Sequence, residues 1–242
     1  MPRFFVLPEQ VSEGEIFITG QDAFHIARTL RMAVGDSITV CDPTYTYEAE
    51  LSEIRDERVL CRILYVKEDS CESPLSIHLF CAWPKGDKSE TVVQKAVELG
   101  AERITFFASE RCIKHPKDEK LPRQLARLQK IAEEAAKQSG RSKLPTVDTP
   151  LSFEEMLKTA AKTDLPLFCY EGENACSLKD AFSGKTPKSV AVIVGAEGGF
   201  SPKEAELAKE EGLLSVHLGK RILRCETAPL VVLSALLYTF EL

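Results

Sequence analysis

The chain has 242 residues, 44% of them hydrophobic and 28% charged, and a formal net charge of −6. This balance is typical of a globular protein and argues against disorder and against indiscriminate nucleic-acid binding. No segment approaches the roughly 20 apolar residues that cross a bilayer, and the N-terminus lacks the apolar core of a signal peptide. We therefore expect a cytoplasmic protein with no membrane partner and, at this length, two unequal domains.

The first seventy residues show short β-rich runs between turns, a spacing that predicts a small barrel. The predicted strands are 3–7, 15–19, 36–41, 45–54 and 58–67, with one helix over 22–31. Arg28 and Arg31 are three residues apart on that helix, which would place both on one side. The charged, proline-containing stretch 67–74 is the best boundary, so the predicted domains are 1–72 and 73–242.

After Leu75 the pattern alternates between strands and helices, which predicts crossover connections and a largely parallel sheet. The predicted strands are 77–82, 104–108, 165–170, 190–194 and 215–218, and the predicted helices are 88–99, 121–139, 153–161, 202–211 and 228–240. The last helix is apolar nearly all round and must be covered on more than one side. A subunit interface and burial within the domain explain that pattern equally well.

Charge and cysteine placement narrow the possible ligands. Residues 1–72 carry 7 basic and 14 acidic side chains, residues 73–150 carry 14 and 10, and residues 151–242 carry 10 and 13. A polyanion should therefore meet the middle segment. None of the eight cysteines has the spacing of a zinc knuckle, so we expect no metal and mostly buried, reduced thiols.

Two glycine-containing turns near the C-terminus carry the chemical signal. In VAVIVGAEGGFSPKE a buried strand ends at Val194, three glycines follow, and Ser201 and Glu204 form a capping box around Pro202. In VHLGKRILRCETAPL a second strand and turn lead into the last helix, with Arg224 and Glu226 before it. The structural alternatives are a plain strand-to-helix turn, a solvated basic loop capped by Thr227, and an Arg224–Glu226 ion pair.

Together these segments resemble the signature of the RsmE family, SPOUT-class methyltransferases that modify N3 of uridine 1498 in 16S ribosomal RNA. The motifs that carry the resemblance are R-F-F at Arg3, H-x-x-R-x-x-R at His25, K-x-x-E-L-G at Lys95, S-E-R at Ser109, Q-S-G-R at Gln138, and the two C-terminal loops. This chain has Ala196 where the family's first loop usually has proline, and Cys225 where a threonine is common.

The resemblance implies an N-terminal PUA-like barrel and a C-terminal SPOUT domain, a parallel α/β sheet with a deep trefoil knot, in a homodimer. It also implies S-adenosyl-L-methionine as the cofactor and 16S ribosomal RNA, within the small ribosomal subunit, as the partner. The predicted cofactor-binding residues are Tyr170, Glu171, Val194, Gly195, Glu197, Gly198, Gly199, Leu218, Gly219, Ile222, Leu223, Arg224 and Thr227.

Methyl transfer to a uracil nitrogen requires the protein to orient two reactants and to favour loss of the N3 proton. Arg224 is the predicted stabiliser of the developing anion, and Glu226 is predicted to act in orientation or proton removal. The predicted RNA contacts are Arg3, His25, Arg28, Arg31, Arg111, Lys114 and Arg141. Two other functions are a non-catalytic RNA-binding module and an NAD-dependent oxidoreductase, although GAEGGF is not the G-x-G-x-x-G fingerprint of the latter.

Overall fold

The computed structural model describes residues 1–55, 57–67, 72–112, 118–172 and 175–242. These residues form two compact units. Unit 1 contains Met1–Glu72 and Ala136–Leu144, and unit 2 contains Ser73–Ala135 and Pro145–Leu242. Within the described ranges, no helix is both long and apolar enough to cross a membrane.

Unit 1 is built on a six-stranded sheet in the order β1-β4-β5-β6-β3-β2. Its strands are β1 (Arg3–Phe5), β2 (Val11–Ser12), β3 (Glu15–Thr19), β4 (Ser37–Cys41), β5 (Thr46–Ile54) and β6 (Arg58–Lys67). The β1–β4 pair is parallel and the other pairs are antiparallel. Two register shifts between β5 and β6 bend the pair, which helps the sheet to curl around an apolar core that includes Phe4, Ile16 and Leu51.

The predicted helix over 22–31 is wrong in its regularity and its end. Helix α1 (Gly20–Phe24) is followed by a π-helical turn, His25–Thr29, in which the Leu30 N–H donates to the His25 carbonyl at 2.9 Å. Arg31 then lies outside the helix with a φ of 51°. The wider turn and this left-handed residue remove the basis for placing Arg28 and Arg31 on one side of a regular helix.

Unit 2 contains the predicted parallel sheet, with seven strands in the order β11-β13-β10-β12-β7-β8-β9. The strands are β7 (Ser76–Ala82), β8 (Arg103–Phe107), β9 (Thr146–Leu151), β10 (Leu165–Cys169), β11 (Cys176–Ser177), β12 (Ser189–Val194) and β13 (Leu214–His217). All their pairings are parallel. The central strand β12 is buried from Val190 to Val194, as expected for a strand covered on both faces.

The helices between these strands are α2 (Lys88–Glu98), α3 (Leu121–Ser139), α4 (Phe153–Ala160), α5 (Leu178–Phe182) and α6 (Pro202–Glu210), and α7 (Ala228–Phe240) follows the last strand. Single 3₁₀ turns cover Pro8–Gln10 and Asp118–Lys120. The last turn of α3, from Ala136, groups with unit 1. Strands β9 and β11 and helix α5 are absent from the sequence-based prediction.

Helix α7 packs against α2, α5 and β12 and buries one side, including Val232, Leu233 and Leu236. The opposite side of α7 is open. Leu230, Val231, Ser234, Leu237 and Tyr238 form this open face, on which Val231, Ser234 and Tyr238 are exposed and the two leucines are half-buried. The open face carries no charge, although Tyr238 alone is 76% exposed.

Candidate active site

A cavity of about 620 Å³ opens in unit 2 where β10, β12 and β13 end. The carboxyl ends of parallel strands are where ligands ordinarily bind in open α/β sheets. The cavity wall consists of Lys88, Arg111, Cys169, Tyr170, Glu171, Val194, Gly195, Ala196, Glu197, Gly198, Gly199, Phe200, Val216, Leu218, Ile222, Leu223, Arg224, Cys225 and Ala228. Five separate segments of the chain therefore converge on one concave site: the start of α2 and the ends of, or loops after, β8, β10, β12 and β13.

The loop after β12 is tightly folded, and it constrains Gly195 by lack of space and Gly199 by its backbone conformation. A Cβ on Gly195 would lie 3.2 Å from backbone atoms of Gly199 and 3.3 Å from the Phe200 ring. Gly199 has a φ of 62° and donates its N–H to the Ala196 carbonyl at 2.9 Å. The glycines therefore close a turn that keeps backbone groups on the cavity wall.

Gly198 faces Arg111, in the loop after β8. A Cβ on Gly198 would come within 2.9 Å of the Arg111 Cβ and 3.3 Å of its carbonyl oxygen. The Arg111 guanidinium also donates to the Gly198 carbonyl at 3.0 Å. Arg111, predicted as an RNA contact, is thus part of the cavity wall and supports the glycine loop.

The capping box at the start of α6 is confirmed and also reaches the loop after β8. The Glu204 N–H donates to Ser201 Oγ at 3.2 Å, and the Ser201 N–H donates to the Glu204 carboxylate at 2.8 Å. The other Glu204 oxygen accepts the backbone N–H of Glu110 at 2.8 Å, and the Ser201 hydroxyl donates to the Glu110 carboxylate at 2.6 Å. These bonds fix the residues beside Arg111 relative to the glycine loop.

Lys88, which sequence reasoning missed, joins the two glycine-containing loops. Its ammonium Nζ lies 2.8 Å from Glu197 Oε1 and 3.4 Å from Glu226 Oε2. The Glu226 carboxylate also accepts from the Cys225 thiol at 3.3 Å. Lys88 belongs to no motif recognised in the sequence, and it is 109 residues from Glu197. The spacing of motifs in the sequence therefore did not predict this contact.

Both carboxylates are held ionised. Burial opposes ionisation of Glu197, but hydrogen bonds from Lys88 and from backbone N–H groups prevail and lower its pKa to about 2. Burial likewise opposes ionisation of Glu226, whereas its own N–H, the Cys225 thiol and Lys88 lower its pKa below the ordinary value. Burial raises the pKa of the Cys225 thiol to about 12, so the thiol keeps its proton and serves as a donor. A carboxylate with a lowered pKa is a weak base, which favours an orienting role for Glu226.

Arg224 has an exposed side chain on the cavity wall. Its guanidinium makes no hydrogen bond or ion pair with any residue in the described part of the chain. The alternative of an Arg224–Glu226 ion pair is therefore wrong, since Glu226 pairs with Lys88. The Thr227 hydroxyl does not cap α7 either; the Thr227 and Ala228 N–H groups donate to the Arg224 carbonyl at 2.8 and 2.9 Å.

Most of the residues predicted to bind the cofactor lie on this cavity. The exceptions are Gly219 and Thr227, and Glu226 stands behind the wall against Lys88 and Cys225. The wall residues absent from the prediction are Lys88, Cys169, Ala196, Phe200, Val216, Cys225 and Ala228. Some of these, such as Cys169 and Val216, are apolar residues of strands, and no sequence pattern marks them as ligand contacts.

The predicted RNA contacts of unit 1 fall into two groups. His25, Arg28 and Arg31 are exposed. Arg141 is buried, because its side chain is 6% exposed and its guanidinium binds the Glu72 carboxylate at 2.6 Å. Arg3 donates to the Arg141 carbonyl at 3.1 Å and to the Cys41 sulfur. These intramolecular bonds count against Arg3 and Arg141 as phosphate contacts, and Lys114 lies outside the described residues.

Comparison with known proteins identifies the class of this fold and site. The family model for the RNA methyltransferase domain matches residues 71–237, and the model for the RNA methyltransferase PUA domain matches residues 18–64. The chain is 35% identical to ribosomal RNA small subunit methyltransferase E of Bacillus subtilis, covering 100% of this chain and 98% of the relative. The same enzyme of Synechocystis is 34% identical over 96% of this chain and 76% of its own length.

Among solved structures, ribosomal RNA small subunit methyltransferase E of Neisseria gonorrhoeae bound to S-adenosyl methionine superposes with a TM-score of 0.87. It is 34% identical, and the match covers 99% of this chain and 98% of that one. Fold, family models and relatives agree on one class, the RNA methyltransferases. The chain belongs to the ribosomal RNA small subunit methyltransferase E family. This membership rules out the NAD-dependent alternative.

Proposed function

We propose that this protein transfers the methyl group of S-adenosyl-L-methionine to N3 of uridine 1498 in 16S ribosomal RNA. The observation that carries the proposal is the exposed Arg224 guanidinium on the wall of a glycine-lined cavity, in a chain of this family. A cation placed there suits a substrate that becomes anionic as its nitrogen loses a proton.

The cavity suits the cofactor in size and chemistry. Its volume of about 620 Å³ is within the roughly 300–1,000 Å³ of small-molecule sites. Apolar side chains such as Val194 and Leu223 can cover an adenine ring, while the backbone of the glycine loop offers N–H and carbonyl groups. The carboxylates of Glu171 and Glu197 would repel a phosphate but tolerate a sulfonium. We assign to cofactor binding the loops 169–171, 194–200 and 218–224.

The chemistry assigned to the chain's own residues is orientation and charge stabilisation. When bound, S-adenosyl-L-methionine supplies an electrophilic methyl group. The Arg224 guanidinium donates hydrogen bonds to a uracil oxygen, and this interaction strengthens as negative charge develops on the ring. Glu226, two residues further on, holds its loop through Lys88. Its low pKa makes it a poor acceptor for the N3 proton.

We further propose that 1–72 is an RNA-binding, PUA-like domain and 73–242 the SPOUT domain. In the first, exposed His25, Arg28 and Arg31 would contact RNA, joined by Arg111 and Lys114 from the second. We propose that the C-terminal part contains a deep trefoil knot, which tracing the chain in an experimental structure would test. A homodimer through the open face of α7 is also proposed, as is action in the cytoplasm on the small ribosomal subunit.

Mapping of the modified nucleotide tests the proposal. Purified protein is incubated with labelled S-adenosyl-L-methionine and, separately, with naked 16S ribosomal RNA or small subunits from a strain that lacks the modification. Mass spectrometry should find one new methyl group, at N3 of uridine 1498, in at least one substrate. Binding of the cofactor with no methylation of either substrate would instead support the non-catalytic RNA-binding alternative.

A further inference from the structure

Lys88 occupies an electrostatically unfavourable position within its own helix. It is the first residue of α2, where the positive end of the helix dipole ordinarily favours an acidic side chain. Its partners lie elsewhere, on the loops after β12 and β13. We propose that Lys88 is a positioning residue for methyl transfer. Its ammonium holds the cofactor-binding glycine loop and the segment that contains Arg224 in a fixed position relative to each other. This inference rests on the proposed function.

Lys88 contacts both the loop assigned to the cofactor and the segment assigned to the substrate. Glu197 stands inside the glycine loop, between Ala196 and Gly198, and Glu226 is two residues from Arg224. One ammonium bonds both carboxylates, at 2.8 and 3.4 Å. Glu197 also accepts the backbone N–H of Lys85 at 3.1 Å, which fastens the loop before α2 to the same point. Displacement of this ammonium would therefore release the cofactor loop and the substrate arginine together.

Removal of the ammonium would also change the ionisation of its partners. The groups around the Lys88 ammonium are the carboxylates of Glu197 and Glu226 and the thiol of Cys225. The Cys81 and Cys112 thiols are close enough to these groups to interact electrostatically. Glu171, Arg111 and Arg224 line the same cavity. Burial raises the pKa of both carboxyls, and Lys88 is the side-chain cation that offsets it. Without Lys88, their pKa values should rise, while the bonds from backbone N–H groups and from the Cys225 thiol remain.

The test compares Lys88→Met, which keeps the length of the side chain without its charge, with Lys88→Arg. The matched control is Lys95→Met, because Lys95 is on the same helix and pairs with Glu98 away from the cavity. Single-turnover methylation is measured at pH 8 beside calorimetric titration with S-adenosyl-L-methionine. Lys88→Met should be about tenfold slower or more at pH 8, since small misplacements of reacting groups are costly. Lys88→Arg should stay within about threefold of the unmodified protein.

Two readouts separate positioning from mere support of the fold. Lys88→Arg, which restores the cation, should recover most of the methylation rate that Lys88→Met loses. In a double-mutant cycle, Lys88→Met should reduce the methylation rate by a much smaller factor when Glu226→Gln is already present. Failure of Lys88→Arg to recover the rate, or additive losses in the cycle, would overturn the proposal.

One measurement needs no variant and no activity. Carbon NMR titration of the glutamate carboxyls in the unmodified protein should show Glu197 and Glu226 ionising below the ordinary glutamate pKa of about 4.3, and titration of either above that value would refute the role of Lys88. The result stands even if Lys88→Met does not fold. If the proposed function itself is wrong, the result is different, because the unmodified protein and Lys95→Met then both fail to methylate the uridine.

Discussion

Arg224 has an exposed guanidinium, unpaired within the described residues, on the wall of the cavity. A donor that acts on charge developing in the transition state affects rate more than ligand affinity. We therefore expect Arg224→Ala to reduce the single-turnover methylation rate by roughly 10²-fold or more, by analogy with loss of one anion-stabilising donor. Calorimetry on the same variant should show little change in affinity for S-adenosyl-L-methionine.

Arg224→Lys is the matched comparison, because lysine keeps the positive charge but loses the planar fork of donors. Partial recovery of the rate at most is expected. Equal losses of cofactor affinity and rate in Arg224→Ala would show that Arg224 only builds the pocket, and the mechanism would have to be abandoned.

The Glu72–Arg141 pair is the most buried ion pair in the described part of the chain, with side chains 8% and 6% exposed. Glu72 also accepts the backbone N–H groups of Ser142 and Lys143, both at 2.9 Å. Loss of one partner from a buried pair leaves an uncompensated charge. Glu72→Gln should lower the free energy of unfolding of unit 1 by about 3 kcal/mol at pH 7, measured by denaturant titration.

The pH dependence of that difference has a definite sign. Burial tends to raise the pKa of Glu72, but its bonds to Arg141 and to backbone N–H groups lower it overall. Stabilisation is therefore complete above the unfolded pKa of about 4.3 and is lost as the pH falls through the folded value. Glu50→Gln, at an exposed pair with Arg62, is the control and should lower the free energy of unfolding by less than about 1 kcal/mol. A Glu72→Gln cost that grows toward low pH would contradict this account.

At the scale of single residues, the sequence located the loops but not the partners of their side chains. Arg224 and Glu226 are neighbours in sequence, and proximity alone made an ion pair between them plausible. The structure instead pairs Glu226 with Lys88, whose position depends on how α2 packs in unit 2. Arg141 was predicted to contact phosphate because positive charge is concentrated in the middle segment. Its pairing with Glu72 is a long-range contact, and local patterns do not encode such contacts.

Among the loops, the one after β12 allows the most specific prediction. A side chain on Gly198 would meet Arg111, at 2.9 Å for the Cβ pair, before it could meet a ligand. Gly198→Val should therefore push the glycine loop and the loop after β8 apart. Affinity for S-adenosyl-L-methionine should fall more than tenfold, over 1.4 kcal/mol, by calorimetry.

Arg111→Ala separates the two contributions at this contact. It removes the 3.0 Å bond to the Gly198 carbonyl without adding volume, so a smaller loss of affinity is expected than for Gly198→Val. Normal cofactor binding by a folded Gly198→Val variant would mean that the cofactor site has been misplaced.

The elements that the sequence predicted well have strong, local signals. Helices α3 and α7 and strands β3 and β6 have the predicted bounds, because each has apolar residues in a recognisable pattern and is delimited by turn residues. Strand β9 was missed because it contains Pro150 and lies at the sheet edge, where a missing donor is tolerated. Helix α5 has only five residues, too few to show a period. The π-helical turn after α1 widens a helix whose apolar pattern is ordinary.

For the whole molecule, binding to RNA should depend strongly on salt. Each phosphate that a lysine or arginine neutralises releases counterions, so affinity for 16S ribosomal RNA should fall on the order of 10³-fold between ~50 and ~200 mM salt if about six phosphates are contacted. Arg28→Ala combined with Arg31→Ala should weaken binding and flatten this dependence. Arg62→Ala, which removes an exposed cation of β6 that is not among the predicted RNA contacts, is the control. A flat salt response from the unmodified protein would point to another partner.

The open face of α7 bears on the state of assembly. The chain covers Val232, Leu233 and Leu236 itself but leaves Val231 and Tyr238 exposed on a helix without a charged residue. Exposed apolar area costs roughly 25 cal/mol per Å², and a second copy would cover it. We expect a dimer by light scattering at micromolar concentration, and a monomer when Val231→Glu and Tyr238→Glu are combined, because two carboxylates would be buried without partners. Lys209→Glu, on the exposed surface of α6, should leave the dimer intact. A stable monomer of the unmodified protein would rule out this interface and leave the open face without the role proposed for it.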